Sequence, residues 1–240
     1  MLLEDRTRNQ EYQLHLITDN PMSKVKLISL SKPSAETGCS TAEELVAYAA
    51  RVSNPSNQNN SKTAGKLVRY LIRENHWSPL EMVHLTLEIT TTRDISRQII
   101  RHRSFSFQEF SQRYAKSESF EVREARLQDL KNRQNSVALT EDNAELSQQW
   151  RDKQSELLLQ SKEVYNWALD NGIAKEQARA VLPEGNTETT LYMAGTLRSW
   201  IHYCDLRMGN GTQKEHMDVA KQCWEIIGVH FPDVIKALEE

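Results

Sequence analysis

An α+β fold is predicted: a central, mostly antiparallel sheet flanked by long helices. Three stretches predict it. Val83–Thr90 alternates apolar and polar for eight residues, the mark of a half-buried strand. Val25–Leu30 alternates in the same way. Thr140–Leu169 repeats Trp150, Leu157, Leu158, Val164 and Trp167 at helical spacing, too long for anything but an extended helix.

Residues 1–23 are polar and mixed, with a turn signal at Asn20-Pro21, and are expected to be an N-terminal extension with one short strand at Gln13–Thr18. Ser31–Ser40 reads as a loop. Thr41 and Glu44 form a capping-box pattern that opens a helix carrying Leu45, Val46, Ala49 and Ala50. Asn54–Lys62, rich in Asn and Ser, is expected to be a mobile loop. Ala64–Asn75 is a second helix, closed by His76–Glu81 with its Pro79. After the long strand, Asp94–Ile100 has Ile95, Ile99 and Ile100 on its apolar side and an acid in the first turn, so it reads as a helix.

Ser104–Tyr114 is expected to be extended, and Phe120–Ser136 to be a charged surface insertion. Asn171-Gly172 stops the long helix. Lys175–Leu182 is a short helix ended by Pro183, and Glu184–Thr190 is a turn. Leu191–Arg207 is apolar with spaced Arg, Trp and His. Met208–Thr212 is a glycine-bearing loop. Thr212 is the candidate cap of a last helix that turns Met217, Ala220, Trp224 and Ile227 inward.

The chain has 240 residues, enough for one sizeable core, and is read as a single domain over 1–240. A formal net charge of −3 and 7% aromatics give no electrostatic footprint for nucleic acid. No run is long enough to span a membrane, and MLLEDRTRNQ lacks the apolar core of a signal peptide, so a cytoplasmic protein is expected. Cys39, Cys204 and Cys223 form no CxxC pair and read as reduced thiols. The seven histidines show no metal-ligand spacing, so no metal is expected. Neither GxGxxG nor a P-loop occurs, so a bound dinucleotide would have to be held by side chains.

Those side chains concentrate in one stretch, Arg101-His102-Arg103-Ser104-Phe105-Ser106-Phe107-Gln108-Glu109-Phe110-Ser111-Gln112-Arg113-Tyr114. Arg97 and Arg101 share one helical face, with Gln98 beside them. Guanidiniums suit planar, two-donor capture of a phosphate or a uracil-like edge. The bland alternative is a solvated charged face. A second is a non-catalytic, Arg-rich nucleotide- or RNA-binding module, which the net charge disfavours.

Arg-His-Arg, seven residues, then Ser111, followed by Arg113-Tyr114, resembles the signature of the flavin-dependent thymidylate synthases. Ala49–Ser53, His76–Glu81, Ala178–Pro183, Leu197-Arg198-Ser199, Asp205-Leu206-Arg207 and Gln213-Lys214-Glu215 resemble further family segments, together covering about residues 45–228. The resemblance implies reductive methylation of dUMP to dTMP. FAD is the cofactor, and NADPH and 5,10-methylenetetrahydrofolate are co-substrates. It also implies a homotetramer with sites built from several subunits.

On the matching positions, it puts His76, Ser78, Arg101, His102, Arg103, Ser104, Glu109, Thr196, Arg198 and His202 at the flavin. It puts Gln98, Arg101, Glu109, Ser111, Arg113, Arg179 and Arg207 at the nucleotide, with Arg207 as the catalytic residue at the pyrimidine edge. Thr196 stands where the family often has Asn, and Met208–Thr212 departs from the family's loop after Arg207. A flavoprotein of the same fold with another methyl-transfer or reductase reaction is the remaining alternative.

Overall fold

A computed structural model describes residues 17–18, 23–117 and 119–239. In chain order its strands and helices are β1 (Ile17–Thr18), β2 (Lys24–Leu30), α1 (Ala42–Ala50), α2 (Ala64–Arg73), β3 (His84–Thr92), α3 (Arg93–Ile99), β4 (Ser106–Glu109) and β5 (Phe120–Glu121). There follow β6 (Arg126–Gln128), β7 (Ser136–Ala138), α4 (Ala144–Asp170), α5 (Lys175–Ala178), β8 (Glu188–Thr196), α6 (Leu197–Met208), α7 (Lys214–His230) and α8 (Pro232–Glu239). The main sheet has the order β2-β3-β8-β4 and is antiparallel at every pairing. The predicted α+β architecture is therefore present. The N-terminal reading lies mostly outside the described residues, except that Ile17–Thr18 pairs parallel with Phe120–Glu121.

The sheet forms because β3 puts Leu85, Leu87, Ile89 and Thr91 on one side, all buried. Its partner β8 does the same with Thr189, Leu191, Met193 and Gly195. The sequence reading split β8 between a turn and an apolar run. Two of its four inward positions are Thr and Gly, which hides the period of two. The strand ends at Thr196, whose hydroxyl accepts from Ser199 N at 3.1 Å and caps α6. The predicted capping box at α1 is present in both directions between Thr41 and Glu44.

Other expectations are corrected. Asn54–Lys62 is not featureless: short 3-10 turns run through it, and buried Arg51 donates to Asn60 O and to Thr63 Oγ1. Thr212 does not cap the last helix. Gln213 occupies that position, with no side-chain capping bond, because its amide is engaged elsewhere. The last helix also breaks at Phe231-Pro232 and restarts as α8. On α4 only Leu158 of the five expected apolar residues is buried. Tyr165 and Ala168 share its buried face, while Leu157 (54% exposed) and Trp167 (59% exposed) face outward. The helix carries apolar residues on two sides, and one chain covers only one of them.

Both helices next to the main strand pair converge. β3 leads into α3 at one end of the sheet, and β8 leads into α6 at the other, since Thr92 pairs with Glu188 and His84 with Thr196. α6 lies on the sheet, with Trp200 Nε1 donating to Leu85 O at 3.3 Å. Phe105, just past the Arg-His-Arg stretch, packs edge-on against Trp200 at 4.8 Å between ring centroids. It fits because Gly195 has no side chain: a Cβ there would lie 2.4 Å from the Phe105 ring. Gly195→Ala is expected to destabilise the protein by about 1–3 kcal/mol through overpacking. Gly185→Ala, with open space at its Cβ, is the control. Equal urea midpoints for the two variants would contradict this packing.

Candidate active site

Helix α3 carries two rows of polar side chains. Arg93 and Arg97 lie one turn apart on one side. Glu109, at the end of β4, faces both: its Oε1 is 3.7 Å from Arg93 Nη1, and its Oε2 is 3.8 Å from Arg97 Nη1. The same carboxylate accepts from Ser96 Oγ at 2.9 Å and Thr189 Oγ1 at 3.0 Å. Glu184 adds a second anion, accepting from Arg97 Nε at 3.2 Å. Arg93 is buried, and burial lowers its pKa against the opposing pull of Glu109. Arg179 is close enough for its charge to act on Arg93, and no carboxylate among the described residues pairs with Arg179. Arg93 Nη1 has no hydrogen-bond partner, so a buried donor faces Glu109 at ion-pair distance only.

Gln98, on the other side of α3, reaches α7, and His102, in the turn just past α3, reaches α6. Arg207 Nε donates to His102 Nε2 at 2.8 Å. The acceptor must be an unprotonated ring nitrogen, so His102 is neutral with its proton on Nδ1. Burial first, and the Arg207 charge second, lower the His102 pKa to about 4. Because Nε is used, the two terminal nitrogens of Arg207 remain for a second partner. His102 sits edge-on to Tyr203, with ring centroids 4.9 Å apart. Tyr203 Oη lies 3.1 Å from His216 Nε2, and His216 Nδ1 lies 3.3 Å from Gln98 Oε1. Gln98 Nε2 in turn donates to Gln213 Oε1 at 2.8 Å.

Arg101, Arg103 and Ser104 are exposed at the turn after α3, and no carboxylate among the described residues pairs with either arginine. Two free guanidiniums fit the diphosphate of a dinucleotide in a chain that lacks a glycine cradle. His76 and Ser78 are exposed at the 3-10 turn Ser78–Met82 and just before it. The His202 ring lies tilted against Trp77, with centroids 4.7 Å apart, and Arg198 pairs with Glu81. Arg113 is paired with Glu176 at 3.2 Å, and Ser111 Oγ lies 3.4 Å from Arg113 N. Thr196 is engaged as the α6 cap. A cleft of about 880 Å³ lies between α4, the β6–β7 hairpin and the start of α7. Only Gln213 connects it to the chain of amides and imidazoles.

The thymidylate synthase complementing protein family matches residues 36–233. A "probable flavin-dependent thymidylate synthase" of Paramecium bursaria Chlorella virus 1 is 54% identical over 215 residues, covering 89% of this chain and 98% of that one. The chain belongs to this family. A flavin-dependent thymidylate synthase of Synechocystis sp. is 50% identical over 218 residues, covering 90% of this chain and 99% of the other. Among solved structures, a UMP/dUMP methylase, PolB from Streptomyces cacaoi, bound with 5-Br dUMP, superposes with a TM-score of 0.77 at 28% identity. That match covers 93% of this chain and 96% of PolB.

Within this family member, the sequence-predicted residues fall into two groups and a rim. Glu109 and Arg179 belong with the buried Arg93. Gln98, His102 and Arg207 belong with Tyr203 and His216. The rest lie at the exposed turn or on separate ion pairs. Sequence reasoning missed Arg93, Tyr203, Gln213 and His216 as site residues. Arg93 and Arg97 at helical spacing were a usable signal. His216 followed a matched segment, but nothing local marked it as buried.

Two neutral histidines that share one arginine, Arg207, make stability depend on pH. The His216 pKa is lowered to about 3, by burial first and then by Arg207 and His102. In the unfolded chain both rings return to the ordinary value of 6.5. Between about pH 6.5 and 4 the unfolded state therefore binds more protons. Their contribution is full above about 6.5 and is lost as pH falls through that window. The urea midpoint is expected to be lower at about pH 5 than at about pH 7.5, with a smaller drop in His216→Gln. Identical drops in the two proteins would exclude His216 as a source.

Proposed function

We propose that the protein is a flavin-dependent thymidylate synthase that methylates dUMP to dTMP in de novo dTMP synthesis. The observation that carries this reading is the Arg207–His102 contact. It orients a guanidinium whose two remaining terminal nitrogens are available to a planar pyrimidine edge. When bound, reduced FAD supplies the hydride, with NADPH as its reductant and 5,10-methylenetetrahydrofolate as the carbon donor. Arg207 stays charged throughout and stabilises negative charge that builds on the pyrimidine as its C5 attacks the one-carbon unit. It acts as a fixed cation, not as a base. His102 is its acceptor and keeps its own charge at zero, so it adds no competing cation beside the substrate.

Arg113 and Arg179 take the nucleotide phosphate, with Ser111 donating to a phosphate oxygen. Arg93 closes that corner from below. Glu109 orients the arginines as well as a ribose hydroxyl or flavin edge. Arg101, His102, Arg103, Ser104, His76, Ser78, Arg198 and His202 surround the flavin. Thr196 joins them only through its backbone, since its hydroxyl is the helix cap.

The test is dTMP formation from dUMP with methylenetetrahydrofolate and NADPH by purified, FAD-loaded protein. Arg207→Lys is expected to keep flavin and fold while losing most turnover, because one ammonium cannot bond His102 and still offer two parallel donors. Near-normal turnover in that variant would remove Arg207 from the catalytic role, and absence of any flavin-dependent dTMP would remove the reading itself.

No cysteine is needed. Cys204 and Cys223 are buried, and burial pushes both thiols upward, away from the thiolate form. Cys39 lies in the loop before α1, with its thiol 3.8 Å from Thr37 O. A triple Cys39→Ser, Cys204→Ala, Cys223→Ala variant is expected to make dTMP still. Loss of activity in folded, flavin-loaded Cys204→Ala would point instead to a thiolate mechanism.

The working form is a homotetramer whose sites are shared between subunits, formed in the cytoplasm. Two features support this. Arg101 and Arg103 stand open to solvent in one chain, and α4 leaves Leu146, Trp150, Leu157, Val164 and Trp167 exposed along its length. Such an apolar stripe is the usual mark of a subunit contact. Among the described residues no helix is long and apolar enough to cross a membrane. Light scattering is expected to give four chains per particle, and a smaller particle for Trp167→Glu. A monomeric wild type that still holds FAD tightly would contradict the shared site.

A further inference from the structure

The proposed nucleotide site uses Gln98, but an amide can present either of two faces to a ligand. Turning it end for end exchanges donor and acceptor. Something in the fold must choose. Gln98 Oε1 faces His216 Nδ1 at 3.3 Å, and Gln98 Nε2 donates to Gln213 Oε1 at 2.8 Å. His216 is wholly buried and Tyr203 nearly so. The imidazole bridges the Tyr203 phenol and the Gln98 amide, with Tyr203 Oη 3.1 Å from its Nε2.

A neutral imidazole has one N–H, so the bridge has two self-consistent settings. In the first, the Tyr203 hydroxyl donates to Nε2, Nδ1–H donates to the Gln98 carbonyl, and the Gln98 amide N–H donates to Gln213. In the second, every direction is reversed. Then Nε2–H donates to Tyr203, and the phenol proton must find another acceptor. Among the described residues Tyr203 Oη has no hydrogen-bond partner other than His216. The second setting strands a buried O–H donor, which is costly. Only the first satisfies all the groups.

We infer that Tyr203 and His216 are positioning residues that fix the amide of Gln98 in one orientation, and with it the order of donor and acceptor offered to the pyrimidine nucleotide. The inference rests on the nucleotide site proposed above. Burial keeps the Tyr203 phenol protonated and holds His216 neutral, so the setting survives across the working pH range. Gln213, at the capping position before α7, anchors the far end of the chain. This is why its side chain does not cap its own helix.

The test is dUMP binding to FAD-loaded protein by titration calorimetry, in a cycle of two substitutions. Gln98→Ala and His216→Phe are each expected to weaken dUMP about tenfold. In the Gln98→Ala background, His216→Phe is expected to add no more than about twofold, because His216 acts through Gln98. His216→Gln is expected to stay within about threefold of wild type, since its amide can accept from Tyr203 and donate to Gln98. Additive losses, or no rescue by His216→Gln, would overturn the positioning role. Failure of the wild type to bind dUMP would instead overturn the nucleotide site and the role with it.

A readout free of binding guards against a variant that does not fold. In nitrogen-15 histidine spectra of the wild type, the signal absent from His216→Gln is expected to show the Nδ1–H tautomer and not to titrate between about pH 5.5 and 8. An Nε2–H tautomer would overturn the assignment.

Discussion

The antiparallel pairing of β3 with β8 is the constraint from which the site follows. Its register sets Thr92 against Glu188 and His84 against Thr196, so α3 and α6 start at opposite ends of the same strand pair. Nine-residue strands span about 30 Å. The seven residues of α3 and twelve of α6 reach about 10 and 18 Å back along them. The two helices therefore run toward each other and nearly meet. Their C-terminal ends bring His102 and Arg207 within hydrogen-bonding distance. Helix C-termini carry partial negative charge, which favours arginines there. Gly195 lets Phe105 lie against the sheet at this junction, so the turn between them has a fixed floor.

Electrostatics then divides the site in two. One corner gathers Arg93, Arg97 and Arg179 and offsets them with Glu109 and Glu184. The other keeps a single cation, Arg207, beside two histidines that burial holds neutral. A charged ring at either position would repel the guanidinium and cost desolvation in a buried pocket. Neutral rings serve instead as acceptors and spacers.

Much of this was legible in the sequence. The alternation of β3, the capping box of α1 and the motif stretch point to the correct elements because each is a local pattern. β8 was not legible, because Thr189 and Gly195 occupy inward positions that a hydrophobic pattern leaves blank. The outward face of α4 was misread for a related reason: Trp167 and Leu157 look like core until it is known which other surfaces cover them. Of the site, Arg207 and His102 were singled out by motif, but their contact was not foreseen. They lie 105 positions apart. Tyr203 and His216 were invisible as a pair, since neither spacing nor composition reveals that a buried imidazole bridges a phenol and an amide. Long-range register, not local propensity, brings them together.

The most direct measurement of the account is a structure of the protein with FAD and dUMP bound. The account predicts that Arg207 keeps its Nε on His102 Nε2 and turns its two terminal nitrogens to the pyrimidine, within about 3.2 Å of its oxygen and ring nitrogen. Arg207 found on a phosphate, or released from His102 with that ring protonated, would contradict it.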